Sequence, residues 1–383
     1  MNDRRKQTLF RVILVVLGCL AGFGIIEGIG GIAIWATRHS DKPELPAELV
    51  GQVLKSKRHV ENAHDPYLSY RPKPNQQTRT AHINSLGLRG EETDTVPGPG
   101  VYRILLLGGS VAWGYTSMSD DETPSEVLEA YLNAHKQRSR LLRDQTIEVL
   151  NGAVPGYVAW QEALVYALDY RRLKPNLIVT LDGTNDYAAA INTGLIGVPM
   201  GFDEASRSPA AKPSLLGSLW SWMEYRISRM RFAKYLEHVR RPSLADQAPP
   251  PGEQVATGYR RALEHIADIA DIEHALVVPV LQPMAILSGT KPLSEFERQL
   301  IAYHDLRVPG VNAAYEETFE DFRSMFVSLA SERPGVFPLD ATRVFADEPG
   351  ITYVDHCHLT PRGRELLAAA IGDWILEVTD AAQ

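Results

Sequence analysis

Short apolar runs that end in glycine-bearing turns recur along the chain and alternate with segments of helical periodicity. These runs occupy residues 102–107, 146–150, 177–181 and 275–281, with a shorter one at 336–339. Continuous apolar runs of this length are typical of strands that are buried on both faces of a sheet. The alternation of strand, loop and helix therefore predicts an α/β fold with a mostly parallel sheet, right-handed crossovers and helices on both faces.

Helices are predicted between these strands, and two of them begin with a clear N-terminal signal. Thr123-Pro124 and Thr360-Pro361 each combine an N-capping threonine with a proline in the first turn, and Glu126 completes the first of these signals. Further helices are predicted near residues 161–172 and 254–271.

The alternation is interrupted between about residues 194 and 252. Aromatic and basic residues mix over residues 215–241, and a proline-rich break follows at 248–252. Such a segment is typical either of a membrane surface or a lid over a site, or of helices that pack their aromatic side chains onto the sheet. Both interpretations stay open, and we treat residues 194–252 as an insertion in the domain.

The N-terminal part of the chain contains an apolar segment at residues 12–36, interrupted by Glu27. At about 1.5 Å per residue it is long enough to cross a hydrocarbon layer of about 30 Å. Basic residues precede it, which by the positive-inside rule places residues 1–11 in the cytoplasm. We predict one uncleaved transmembrane helix in a bacterial inner membrane, with the rest of the chain in the periplasm. A cleaved signal peptide and lipidation at Cys19 are the alternatives.

Residues 37–83 are predicted to form a juxtamembrane linker and lead-in, and residues 84–383 a single domain.

The composition of the chain argues against several classes of function. The formal net charge of −8 and the absence of a basic stripe argue against a nucleic-acid partner. The two cysteines, Cys19 and Cys357, do not form a disulfide framework or a zinc pattern. Glu27 suggests a membrane-protein partner, because a charge inside a membrane is costly unless another group pairs with it.

Polar or glycine residues follow three predicted strands at their carboxyl ends. Ser110 closes the first run after a pair of glycines, Gly156 follows the second run, and Asn185 follows the third. Ligands bind at the carboxyl edge of parallel sheets, so Ser110 is a candidate nucleophile. The backbone N–H of Gly156 and the amide of Asn185 are candidate donors to a developing oxyanion.

A histidine-containing stretch, residues 353–360, precedes the last predicted helix. A serine nucleophile needs an imidazole to take its proton and a carboxylate to orient that imidazole. Asp355 and His358 fit these roles, with His356 and Cys357 as rivals. The two histidines also suggest a metal, but no third ligand stands nearby in the sequence, and we predict no metal and no cofactor.

With these features the sequence resembles the SGNH, or GDSL-type, hydrolases. Four blocks stand in the family's order within residues 84–378, at positions 108–110, 151–156, 183–186 and 355–358. The resemblance implies a three-layer α/β/α sandwich with a flavodoxin-like sheet. It also implies a catalytic triad of Ser110, Asp355 and His358, and an oxyanion hole of Ser110, Gly156 and Asn185.

Two features depart from the family pattern, namely Gly109, where the family name has aspartate, and the insertion at residues 194–252. The function we expect is that of a membrane-anchored periplasmic serine esterase that removes acyl groups, such as acetyl, from an envelope or extracellular glycan. Other esters, including lipid esters, are alternative substrates. The alternative functions are an O-acyltransferase that uses the same site on a polysaccharide, and a non-catalytic scaffold of an envelope-polysaccharide assembly.

Overall fold

The computed structural model describes residues 14, 15, 17, 18, 21–33, 46, 60–199 and 249–381. The chain divides into two compact units, one of residues 1–42 with 207–243 and one of residues 43–206 with 244–383. In the first unit residues 21–33 are helical. Among the described residues, no helix combines the length and the apolar character that a membrane span requires. The predicted transmembrane segment lies only partly within the described residues, so it stays a prediction, and the aromatic and basic segment at 215–241 lies outside them.

The lead-in forms four short strands that we did not predict from its sequence. The strands are β1 (Asn62–Asp65), β2 (Ser69–Pro72), β3 (Gln76–Gln77) and β4 (His82–Ile83). They pair as two antiparallel hairpins, β1 with β2 and β3 with β4. Bridges from Arg89 to Ile83 and to Asn151 connect the second hairpin to the main sheet. Strands this short carry too few residues for an alternating pattern, which is why we predicted only a lead-in here.

A parallel sheet of five strands forms the centre of the described domain. Its strands are β5 (Val101–Gly108), β6 (Thr146–Asn151), β7 (Leu177–Asp182), β8 (Leu276–Leu281) and β9 (Leu339–Asp340). They lie in the order β6-β5-β7-β8-β9, which is the flavodoxin-like order in which chain connections reverse beside the first strand. The predicted parallel sheet is confirmed. Its last strand begins later than predicted, because Val336 makes only an isolated bridge to Val277.

The connecting helices include those that the alternation predicts and others that we did not predict. They are α1 (Ser110–Trp113), α2 (Pro124–His135), α3 (Ala159–Leu168), α4 (Thr184–Thr193), α5 (Gly252–Ile272), α6 (Glu295–Arg307), α7 (Val311–Glu332) and α8 (Pro361–Ala381). Thr123 caps α2 as predicted, since its side chain accepts a hydrogen bond from the Glu126 N–H. Helix α4 was not predicted, because its polar first turn resembles a loop.

Two apolar layers enclose the sheet. Leu105 and Leu107 of β5 pack on one face, against α3, α5 and α7. Ile104 and Leu106 point to the other face, against α2 and α8. This alternation of side chains along one fully buried strand confirms the three-layer α/β/α arrangement.

Candidate active site

Ser110 lies at the carboxyl end of β5, as the first residue of the short helix α1. The turn before it depends on Gly108, whose φ of +142° is a backbone angle that side chains disfavour. Because Ser110 opens a helix, its own N–H has no partner within that helix and is available to an anion. The loop after β6 runs alongside, where the Val154 N–H donates to the Gly108 carbonyl oxygen at 3.0 Å.

Ser110, His358 and Asp355 form a continuous hydrogen-bonded chain. The Ser110 Oγ lies 2.7 Å from His358 Nε2, and His358 Nδ1 lies 2.7 Å from Asp355 Oδ2. With its proton on Nδ1, the imidazole donates to the carboxylate and accepts the serine proton at Nε2. Two backbone N–H groups, those of Cys357 and His358, donate to Asp355 Oδ1 at 3.0 Å and 2.8 Å and fix the carboxylate in place.

Burial and the attraction between Asp355 and His358 shift the pKa values of these two groups in opposite directions. Burial favours the neutral form of Asp355, but the charge and hydrogen bond of His358 outweigh it, and the pKa of Asp355 falls well below its usual value. Burial likewise disfavours charge on His358, yet the carboxylate raises the pKa of that imidazole well above its usual value. The Asp355 side chain is 42% exposed, so solvent screens part of this attraction.

The rivals for the role of base do not reach the serine. The His356 ring stacks on His304 with centroids 4.4 Å apart, and its Nδ1 is 3.9 Å from Asp355 Oδ1. Cys357 is buried, with its Sγ 3.8 Å from His358 Nδ1. Of the two histidines that the sequence left open, the structure brings His358 to Ser110.

Three potential metal ligands do lie close together in this loop. One ligand atom from each of Asp355, Cys357 and His358 falls within 4.8 Å of the others. Both nitrogens of His358 and both oxygens of Asp355 already make hydrogen bonds within the protein. The same atoms are thus accounted for by the triad, and we assign no metal role to them.

The two other predicted oxyanion donors lie in turns beside Ser110. Gly156 adopts φ +85°, which favours glycine. Asn185 stands in the first turn of α4, rather than in the loop that we predicted, and its Nδ2 donates to the Tyr157 carbonyl oxygen at 2.8 Å. An amide nitrogen carries two hydrogens, so one remains for a ligand. A Cβ at Gly109 would come within 2.1 Å of that nitrogen, which explains why this chain has glycine there.

Buried polar groups that the sequence did not reveal hold the histidine loop. The Thr116 hydroxyl donates to the Leu359 carbonyl oxygen at 2.6 Å, which connects the serine loop to the histidine loop. Glu297 accepts from the Thr352 N–H at 3.0 Å and forms a fully buried ion pair of 2.6 Å with Lys291. The bonds from Thr116 to Leu359 and from Thr352 to Glu297 are not predictable from local pattern, because each joins segments that are distant in sequence.

A second buried set, the acid cluster, lies at the end of β7. It consists of Glu162 on α3, Asp182 on β7, Asp186 on α4 and Tyr259 on α5, each at most 4% exposed. The charges of Asp182 and Asp186 act on Glu162, and among the described residues neither Glu162 oxygen has a hydrogen-bond partner. Burial raises the pKa of all three carboxyls, that of Asp182 to about 6.

Comparisons with known proteins return structural neighbours of low identity. No family model matches the chain, and no curated protein matches it in sequence. A protein of the G-D-S-L lipolytic family from Desulfitobacterium hafniense is 13% identical, with a TM-score of 0.38 over 71% of this chain and 99% of its own. TesA is 12% identical, with a TM-score of 0.39 over 71% of this chain and 97% of its own.

A third neighbour is a mutant of Axe2, an acetyl-xylooligosaccharide esterase from Geobacillus. It is 11% identical, with a TM-score of 0.38 over 72% of this chain and 94% of its own. The solved structures similar to this chain thus include several GDSL-type proteins. At TM-scores below 0.5 they establish a resemblance only, and the case for a function rests on the geometry of the site.

Proposed function

We propose that this chain is an SGNH-type serine esterase that cleaves carboxylic esters through an acyl-enzyme. The observation that carries the proposal is the hydrogen-bonded chain from Ser110 through His358 to Asp355, with 2.7 Å at each step. If the Ser110 hydroxyl only terminated a turn, it would not require a hydrogen bond to an imidazole that a carboxylate orients. This arrangement is the one that activates a serine for nucleophilic attack.

The reaction proceeds in two halves. Ser110 Oγ attacks the ester carbonyl carbon while His358 Nε2 takes the hydroxyl proton, and the tetrahedral oxyanion is stabilised by N–H donors of Ser110, Gly156 and Asn185. The intermediate collapses, and the histidine returns its proton to the departing alcohol. Water then attacks the acyl-enzyme with the same histidine as base, which releases the acid and restores the serine. Asp355 keeps the imidazole in the correct tautomer throughout.

The cellular setting and the substrate are the finer part of the proposal. The apolar run at residues 12–36 supports a membrane anchor, as does the exposure of apolar side chains on the described helical residues, among them Phe23, Ile25 and Ile29. Basic residues before this run support a periplasmic position for the domain. An anchored periplasmic esterase meets acylated envelope glycans, which makes an acetylated sugar the substrate class that we propose.

The test compares the purified full chain with Ser110→Ala on p-nitrophenyl acetate and on acetylated xylan. We expect turnover by the wild type and a loss of several orders of magnitude in the variant. Adding an acceptor glycan and analysing the products separates hydrolysis from acyl transfer. Equal inactivity of both proteins, together with no labelling of Ser110 by a p-nitrophenyl phosphonate, would refute the esterase proposal.

A further inference from the structure

The turn that carries Gly156 is in direct contact with the lead-in. Tyr70 lies on β2, and its hydroxyl donates to the Pro155 carbonyl oxygen at 2.7 Å. The packing is so close that a Cβ at Gly156 would approach the Tyr70 Oη to 2.7 Å. A residue 86 positions before Gly156, outside the four sequence blocks, therefore packs on the backbone of the oxyanion loop.

The bond from Tyr70 fixes the direction of a neighbouring N–H. The Pro155 carbonyl and the Gly156 N–H belong to one peptide group, which is trans, as are all described peptide bonds. In a planar trans peptide the C=O and the N–H point in opposite directions. By holding the carbonyl oxygen, the tyrosine hydroxyl turns the Gly156 N–H away from itself and limits its rotation.

The same tyrosine connects to the second oxyanion donor. The Tyr157 hydroxyl donates to the backbone oxygen of Tyr70 at 2.6 Å, and the two rings pack edge to face at 5.4 Å. The backbone oxygen of Tyr157 in turn accepts from the Asn185 amide at 2.8 Å. Both donors that accompany Ser110 thus lie one or two hydrogen bonds from the β1–β2 hairpin.

We propose that Tyr70 is a positioning residue of the esterase site, whose hydroxyl orients the Pro155–Gly156 peptide so that the Gly156 N–H stabilises the oxyanion. This inference rests on the proposed function. The role requires a proton on the hydroxyl, because a carbonyl oxygen only accepts. Burial raises the pKa of Tyr70 to about 12, so the donor persists through the range in which the triad operates.

The test uses Tyr70→Phe in the full chain, which removes the hydroxyl and keeps the ring. We expect kcat to fall about tenfold with little change in KM, since the lost orientation matters only when the oxyanion forms. The inhibition constant of a boronic acid, whose tetrahedral adduct on Ser110 imitates the intermediate, should rise by the same factor. Tyr67→Phe is the matched control, because Tyr67 in the same hairpin is 72% exposed, and it should leave both quantities unchanged.

The outcomes of these tests separate this inference from the function on which it rests. Unchanged kcat and boronate affinity in Tyr70→Phe would overturn the role of Tyr70. A loss of kcat/KM that comes entirely from a rise in KM would overturn it as well. If that variant does not fold, Tyr157→Phe removes the bond to the Tyr70 backbone, and an unchanged kcat there would also overturn it. Phosphonate labelling of wild-type Ser110 shows independently whether the site itself reacts, so its failure counts against the esterase proposal instead.

Discussion

Replacing Glu162 by glutamine tests whether the acid cluster is held together by protons. Glutamine keeps the shape of glutamate but carries no charge, and its amide can donate to the facing carboxylate of Asp182. The groups that face Glu162 are Asp182 from β7, Asp186 from α4 and Tyr259 from α5. None of them is a cation, so ionising the carboxyls in the folded protein adds like charges in a buried space.

The sign and the size follow from the raised pKa values. The pKa of Asp182 rises from its ordinary 3.8 to about 6, a difference of about two units, which corresponds to roughly 3 kcal/mol. A raised carboxyl pKa means that the folded state binds more protons than the unfolded state. The stabilisation is therefore full below about pH 4 and is lost as the pH rises through about 6.

The assay is urea unfolding of the full chain between pH 4 and pH 8.5. We expect the free energy of unfolding of the wild type to fall over this range, and that of Glu162→Gln to fall less, by about 1 to 3 kcal/mol. Glu253→Gln is the matched control, because Glu253 is exposed at the start of α5. A variant that loses the same free energy at both ends of the range would show that Glu162 acts through packing, and the reasoning about shared protons would be wrong.

Two further predictions concern catalysis. Hydrolysis needs a neutral triad imidazole, and the pKa of this imidazole is raised, so kcat/KM of the wild type should climb toward alkaline pH. Asp355→Asn should move this rise to lower pH and reduce kcat by about 10⁴. A pH–rate profile of the variant that keeps the wild-type midpoint would contradict the role of Asp355. Gly109→Ala places a Cβ against the Asn185 amide and should lower kcat by about 100-fold. The φ of Gly109 is −86°, an angle that alanine tolerates. Thermal unfolding measured beside the kinetics therefore shows whether the loss of kcat comes from the site or from a destabilised fold. A variant with unimpaired kcat would rule out the clash.

The sequence predicts which candidate residues the fold brings together, because each of them is defined by a local pattern. Ser110 follows an apolar run and a pair of glycines, and His358 stands just before a strongly signalled helix. Parallel strands bring their carboxyl ends to one edge, so knowing that Ser110, Gly156 and Asn185 each follow a strand is enough to place these three together. The local pattern leaves His356 as a rival of His358, and the resemblance to the SGNH hydrolases selects His358, which the structure places 2.7 Å from Ser110 Oγ.

The supporting groups have no such local signal. The bond from Tyr70 to Pro155 spans 85 positions, and β2, which carries Tyr70, is too short to show alternation. The carboxyls of the acid cluster come from separate elements, and a single acidic residue in a helix usually faces solvent. Only the fold, which packs α3 on the face of the sheet that contains β7, makes Glu162 and Asp182 neighbours.

The segments that carry Gly156 and Asn185 are held from two sides, and we expect this arrangement to link stability to turnover. Tyr70 and Tyr157 hold them on the lead-in side through neutral hydrogen bonds. On the side of the acid cluster, Asp186 accepts from the Ala159 N–H at 3.3 Å, and so connects the helix that carries Asn185 to the helix that follows Gly156. Ionising the acid cluster should therefore disturb both donors as well as the fold. If so, Glu162→Gln should lose less stability than the wild type as the pH rises, and it should reach a higher kcat than the wild type at alkaline pH, where the triad imidazole is neutral.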